Sequence, residues 1–323
     1  MVSELKAAAV ANNDDAVAVR DRLRELPSCL ASQIKGQAHV LTRVASLLTR
    51  GELGLTHPRR PRGSFLFVGP TGVGKTETTN AFTAYLFSGA TPVRFDMSEY
   101  QLQGSVDKLL GENRDDPGLL GRALRAVGNG TLLFDEIDKA HPLILDILLQ
   151  ILEDARVTLA TGEVLDLRPF YIVCTSNIGS EETMRMESAP FASVERTVLM
   201  RVRERLRPEL VGRVNEIVVF SRLSYATQRA ICAGMIENEI ARLAVLGYVV
   251  EATAEAVEFL VRQGYHRSLG ARPMRGAVER FMQDAVAEAL LRGEKPSGRF
   301  DVIRDGGSLG LVESDGRRDV RLF

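Results

Sequence analysis

The chain has no tryptophan, three cysteines, four histidines and no excess of either charge: 41 Lys and Arg face 42 Asp and Glu, a formal net charge of -1. Each scarcity removes a class of protein. Cys29, Cys174 and Cys232 lie far apart without paired spacing, so they read as reduced thiols of a cytosolic protein, not as a disulfide framework or a zinc site. His39, His57, His141 and His266 fall in four separate segments and show no metal-ligand pattern. Near-neutrality gives no whole-molecule attraction to nucleic acid or anionic lipid, although it leaves room for a local basic patch. No run of about 18 apolar residues occurs. The opening MVSELKAAAVANNDD lacks the apolar core of a signal peptide. The expected location is the cytoplasm, with no membrane partner.

What is present is a globular balance, with 45% hydrophobic and 26% charged residues over a length of 323. That length suits one large domain and a smaller one. Residues 1–14 are small and polar and are expected to be disordered; 15–222 are assigned to the large domain and 223–323 to the small one. Residues 15–50 read as helical, with a break at Pro27 and a second helix from Gln37 to Arg50. Short apolar runs then alternate with helical patterns. Phe65–Val68, Pro92–Asp96, Thr131–Asp135, Phe170–Thr175 and Glu216–Phe220 are the predicted strands; Lys75–Phe87 and Leu143–Leu152, apolar nearly all round and expected to be buried, are helices between them. Apolar strands separated by helices imply an α/β fold with a five-stranded parallel sheet covered on both faces. Ligands of such sheets sit at the carboxyl ends of the strands. Beyond residue 222 the pattern changes to helices at Ala226–Leu246, Ala254–Gln263 and Arg272–Arg292, then short strands near 299–303, 309–313 and 318–322.

The chemistry-bearing segments lie at predicted strand ends. Gly69-Pro70-Thr71-Gly72-Val73-Gly74-Lys75-Thr76 fits the P-loop pattern, with a strand before it and a helix after it. Glycines let consecutive backbone N–H groups turn inward around phosphates at the positive end of the following helix. Lys75 then reaches the β- and γ-phosphates, and the Thr76 hydroxyl holds Mg²⁺. Asp135 and Glu136 end the third strand. Adjacent carboxylates there also serve as helix caps, but after a P-loop in the same sheet the catalytic reading prevails: Asp135 binds Mg²⁺, and Glu136 orients and deprotonates the attacking water. Asn177 closes the fourth strand, where a short amide can contact both the γ-phosphate and that water. An asparagine at a strand end is ordinarily a turn residue, so this signal is weak alone.

Taken together, these segments resemble the AAA+ superfamily, and within it the second ATPase module of Clp/ClpB-type unfoldases and disaggregases. The resemblance runs from about residue 30 to about residue 300. It rests on Lys35-Gly36-Gln37, on residues 63–77, on Phe95–Tyr100, on 132–142, 147–158 and 175–180, and on 206–220 and 270–276. It implies an AAA+ P-loop domain and a smaller helical domain of Clp C-terminal type, a Mg-dependent ATP hydrolase, and assembly into a ring, six-membered in the family. It further implies that Ile34, Lys35 and the residues up to Gln37 are part of the adenine pocket and that Asn177 is the sensor 1 residue. Arg213 resembles the arginine finger that enters the neighbouring subunit's site in trans, and Arg272 the sensor 2 arginine that contacts nucleotide from the small domain.

The sequence also departs from that family. No Phe, Tyr or Trp occurs between Tyr100 and Phe134, where unfoldases carry an aromatic that grips threaded polypeptide; Glu112, Arg114, Asp115 and Asp116 crowd the place, and Leu119 and Leu120 are open to a substrate or a packing role. Strong processive threading is therefore not expected. Nor are a first ATPase ring, a coiled-coil insertion or a docking motif for the Clp peptidase between Asn177 and Arg207. The stretch Arg156–Arg168, turning at Thr161-Gly162, reads as a hairpin at a second pore-facing position. The leading expectation is a ring-forming ATPase that remodels an unidentified protein client. The alternative is a nucleotide-switched scaffold or loader acting on a nucleic-acid-bound complex, through Arg59, Arg60 and Arg62 or the series Arg201, Arg203, Arg205 and Arg207. An inactive ATP-binding protein is disfavoured by the full set of nucleotide-site residues.

Overall fold

The computed structural model describes residues 2–293, 297–303 and 306–312, with side chains from residue 17 onward. Helix α1 (Val2–Gln33) continues through Pro27, where the sequence predicted a break, and through residues 2–14, expected to be disordered. An interior proline costs a helix about 3 kcal/mol or more, because one hydrogen bond is lost and the ring crowds the preceding turn. Leu23, Leu26 and Leu30 form a buried stripe at helical spacing that offsets this cost.

Helix α2 (Ala38–Glu52), strand β1 (Gly63–Val68), helix α3 (Lys75–Leu86) and strand β2 (Val93–Asp96) follow. Next come α4 (Ser105–Leu110), α5 (Gly118–Ala126), β3 (Gly130–Asp135), α6 (Pro142–Asp154) and the short strands β4 (Arg156–Thr158) and β5 (Val164–Asp166). After them lie β6 (Phe170–Ser176), α7 (Ser180–Arg185), α8 (Phe191–Arg205), α9 (Pro208–Arg213) and β7 (Glu216–Val219). The five predicted strands form one parallel sheet in the order β2–β3–β6–β1–β7. Alternation sends side chains to two layers. Leu66, Val68, Leu132, Phe134, Ile172 and Cys174 share a core with residues of α5, α6 and α8. On the other face Phe65 meets Phe82 of α3, and the Tyr171 hydroxyl donates to the Leu48 carbonyl of α2.

Helix α6 is not buried all round, as its composition suggested. Ile144, Leu148, Ile151 and Leu152 are buried, whereas Leu143 is exposed and Leu145, Ile147 and Leu149 are half-buried. Its outer face also carries Asp146 and Glu153, which pair with Arg207 and Arg213 beside α9. Helices α4 and α5 are joined by a tight turn. Gly111 there has φ +101, and a Cβ on it would lie 1.8 Å from the Asp116 carbonyl oxygen. The Asp116 carboxylate accepts from the Gly118 and Glu112 N–H groups and from Arg122. Leu120 is fully buried and Leu119 packs against the same core, so both serve helix packing. Strands β4 and β5 form the predicted hairpin. It is tied to the α4–α5 segment by Ala160 N–H donating to the Leu110 carbonyl, 3.0 Å, and by an Arg125–Glu163 ion pair.

The chain divides into two compact units, the first comprising residues up to Pro70 and Gly74–Ser221, the second Thr71–Val73 and residues from Arg222 on. The second contains α10 (Tyr225–Val245), β8 (Val249–Ala252), α11 (Ala254–Gly264), α12 (Arg272–Leu291), β9 (Ser297–Val302) and β10 (Leu309–Val312). Ser224 and Thr253 cap α10 and α11 through their side-chain oxygens. Cys232, Leu260, Met274, Met282 and Phe300 lie in its core. Strand β8, which the sequence reading missed, pairs in parallel with β9 and completes a three-stranded sheet with β10. The strand predicted near 318–322 lies outside the described residues.

Candidate active site

The loop from Gly69 to Thr76 joins β1 to α3, and its glycines take backbone angles that side chains disfavour: φ is +70 at Gly72 and +106 at Gly74, which caps α3. Lys75, the first residue of α3, is buried. Its Nζ donates to the carbonyls of Gly69 (2.5 Å) and Pro70 (2.9 Å) and to Asn177 Oδ1 (2.9 Å). Burial lowers its pKa to about 8, against the opposing pull of Asp135, Asp138 and Glu136. Thr76 is half-buried at the next position, and Val73 is buried in the loop.

Asp135 ends β3 and is buried, with one oxygen accepting the Thr175 hydroxyl of β6. Its other oxygen lies 2.6 Å from Arg94 Nη2, on β2. Glu136 has φ +58, a left-handed conformation uncommon outside glycine and asparagine and found where a functional group must be aimed. Its N–H donates to Thr175 Oγ1 at 3.0 Å. Its carboxylate accepts Asn177 Nδ2 at 3.0 Å and pairs with Lys139 at 2.5 Å. The Lys139 hydrogen bond, followed by that of Asn177, holds the Glu136 carboxyl below its ordinary range despite partial burial, so it is ionised at neutral pH. Asn177 thus bridges the loop lysine to the carboxylate. The structure joins Lys75, Asp135, Glu136 and Asn177 in one hydrogen-bonded network, with Thr175, Arg94 and Lys139 as members that the sequence reading did not assign.

Other predicted residues stand elsewhere. Ile34 is buried behind the loop, its Cγ2 3.9 Å from where a Cβ on Gly74 would lie, while Lys35 is exposed. Gln37 is fully buried and anchors this segment: its Nε2 donates to the Ser221 carbonyl at 2.8 Å and its Oε1 accepts the Ser221 N–H at 3.1 Å. Arg213 ends α9, outside the network; its Nη2 lies 2.6 Å from Glu153 and its Nη1 donates to the Leu149 carbonyl. Arg272 is exposed at the first position of α12, in the second unit. Of the arginines considered for nucleic acid, Arg62 pairs with Glu52, Arg201 with Glu182 and Glu204, and Arg207 with Asp146. Among the described residues no helix is long and apolar enough to cross a membrane.

A parallel β2–β3–β6–β1–β7 sheet, with a glycine-rich loop after β1 and an Asp-Glu pair ending β3, defines a P-loop nucleotide-binding fold. Residues 60–217 match the family described as AAA domain (Cdc48 subfamily), and residues 223–302 match the C-terminal, D2-small domain, of ClpB protein. The chain belongs to the AAA+ ATPases and carries a small domain of the ClpB D2 type. It is 37% identical over 286 residues to the chaperone protein ClpB of Agrobacterium fabrum, covering 86% of this chain and 33% of that protein. It is 38% identical over 285 residues to heat shock protein 100 of Trypanosoma brucei brucei, again covering 86% of this chain and 33% of the relative. A ClpA homolog, the ATP-binding subunit of an ATP-dependent Clp protease in Porphyra purpurea, is 37% identical over 301 residues, 88% of this chain and 37% of the relative. The chain therefore spans about a third of the length of these relatives. Among solved structures, a closed-state cryo-EM reconstruction of Hsp104 with ATPγS and FITC casein matches with a TM-score of 0.82 and 30% identity, over 91% of this chain and 52% of that one.

Proposed function

We propose that this module binds Mg·ATP at the carboxyl ends of β1, β3 and β6, hydrolyses it, and works in a ring of like subunits to remodel a protein client. The carrying observation is the convergence of Lys75, Asp135, Glu136 and Asn177, drawn from separate segments, into one bonded network beside a loop whose backbone can wrap phosphate. Hydroxyl and carboxylate oxygens of Thr76 and Asp135 suit Mg²⁺, a hard cation that is usually held by one or two carboxylates together with substrate phosphates. When bound, Mg²⁺ would neutralise charge on the β- and γ-phosphate oxygens. Lys75 then leaves the Gly69 and Pro70 carbonyls for phosphate, Asn177 orients the attacking water, and Glu136, already ionised, takes its proton.

Ile34 and Lys35 are proposed to border the base, Arg213 to serve the neighbouring subunit, and Arg272 to respond to nucleotide. The ClpB and Hsp100 relatives support the remodelling role. The loader reading gains no observation, since Arg62, Arg201 and Arg207 already have acidic partners. The test is Glu136→Gln. It is expected to bind Mg·ATP as the natural protein does while turnover falls by about 10²-fold or more. Turnover unchanged in Glu136→Gln, or a natural protein that fails to bind Mg·ATP, overturns the reading.

A further inference from the structure

Asp96 and Asp135 are register partners at the ends of β2 and β3, so both carboxylates rise on the same face of adjacent parallel strands. Like charges so placed repel unless something stands between them. Arg94 lies two residues before Asp96 on β2 and shares that face. Its Nη2 is 2.6 Å from Asp135 Oδ2 and 3.9 Å from Asp96 Oδ2. The Thr175 hydroxyl engages the other Asp135 oxygen. Both oxygens of the carboxylate expected to meet the metal are therefore taken by the chain itself.

We propose that Arg94 is a built-in counter-ion that occupies the metal-facing oxygen of Asp135 in the nucleotide-free protein, closing the site to free divalent cations until nucleotide phosphates deliver one. The inference rests on the reading of Asp135 as the metal-binding carboxylate. A guanidinium suits the task. It stays charged at any physiological pH. A single nitrogen, Nη2, faces both carboxylates, and the half-exposed side chain can swing aside without disturbing the core. The consequence is order: a cation cannot settle first and block the arrival of its own nucleotide complex.

The test uses nucleotide-free protein and Mn²⁺ alone as probe, with free Mn²⁺ followed by electron paramagnetic resonance. Arg94→Gln is expected to bind Mn²⁺ about tenfold more tightly than the natural protein, because a positive charge within contact distance of the site has gone. Arg94→Met, which keeps the stem and removes the charge, should do the same and serves if the glutamine variant folds poorly. Adding Asp135→Asn to either should abolish the gain. Mn²⁺ affinity unchanged in both variants, or a gain that survives Asp135→Asn, overturns the proposal. Mg·ATP binding by the natural protein is measured separately. If it binds and the Mn²⁺ titrations do not shift, the counter-ion role alone fails; if it does not bind, the nucleotide reading fails whatever the titrations show.

Discussion

Lys75 shows how much a single buried charge is asked to do. Burial lowers its pKa to about 8, while its ammonium donates to three neutral acceptors, the Gly69 and Pro70 carbonyls and Asn177 Oδ1. Phosphate oxygens would favour the charged form and raise that value. Between about 8 and the raised value of the bound state, the nucleotide-bound protein then carries more protons than the free one, so binding takes up a proton in that window and weakens as pH rises through it. ATP affinity is expected to be flat below pH 7 and to fall towards tenfold per pH unit above about 8, as read by titration with a fluorescent nucleotide. A profile that stays flat well above pH 8 would separate Lys75 from phosphate. The loop and the Asp135-Glu136 pair were legible in the sequence because each is a contiguous run whose meaning lies in its spacing. Arg94 and Thr175 were not. They reach Asp135 only through the pairing of β2 with β3 and of β3 with β6, which no local spacing encodes. Lys139 did leave a trace, three residues after Glu136 on one turn, a separation at which opposite charges meet.

At the level of elements, the turn between α4 and α5 is where backbone geometry is least forgiving. Gly111→Ala would place a methyl 1.8 Å from a carbonyl oxygen in a left-handed conformation. A loss of about 1–3 kcal/mol in denaturant unfolding is expected, with Mg·ATP binding retained because Gly111 lies outside the network of Lys75, Asp135, Glu136 and Asn177. Gly128→Ala, where a Cβ meets nothing within 4 Å, is the neutral control; equal losses in the two would contradict the steric account. The five strands of the large sheet could be read from sequence because each is a short apolar run bounded by turn residues. Strand β8 could not, since four residues between two strong helical patterns give too brief an alternation, and its pairing partner β9 begins more than forty residues later. Pro27 misled for the opposite reason: a local rule was overridden by burial of Leu23, Leu26 and Leu30.

For the molecule as a working whole, the role proposed for Arg213 bears on whether one chain suffices. In this protomer its guanidinium is paired with Glu153 of its own α6, outside its own nucleotide network. If it serves a neighbour, Arg213→Ala should bind ATP yet lose about 10³-fold or more in turnover. Mixing it with Lys75→Ala, which keeps Arg213 but lacks the phosphate lysine, should restore activity to the blend. A mixture no more active than its parts would assign Arg213 to its own subunit. The nucleotide network carries a consequence of its own. Because Lys75, Glu136 and Asn177 already hold one another, a triphosphate that engages Lys75 would exchange that lysine's contacts with Gly69, Pro70 and Asn177 for its own, and part of its gross attraction would be offset by what it displaces. Under the proposed hydrolysis cycle that offset would shorten residence, which suits a site emptied and refilled at each turnover.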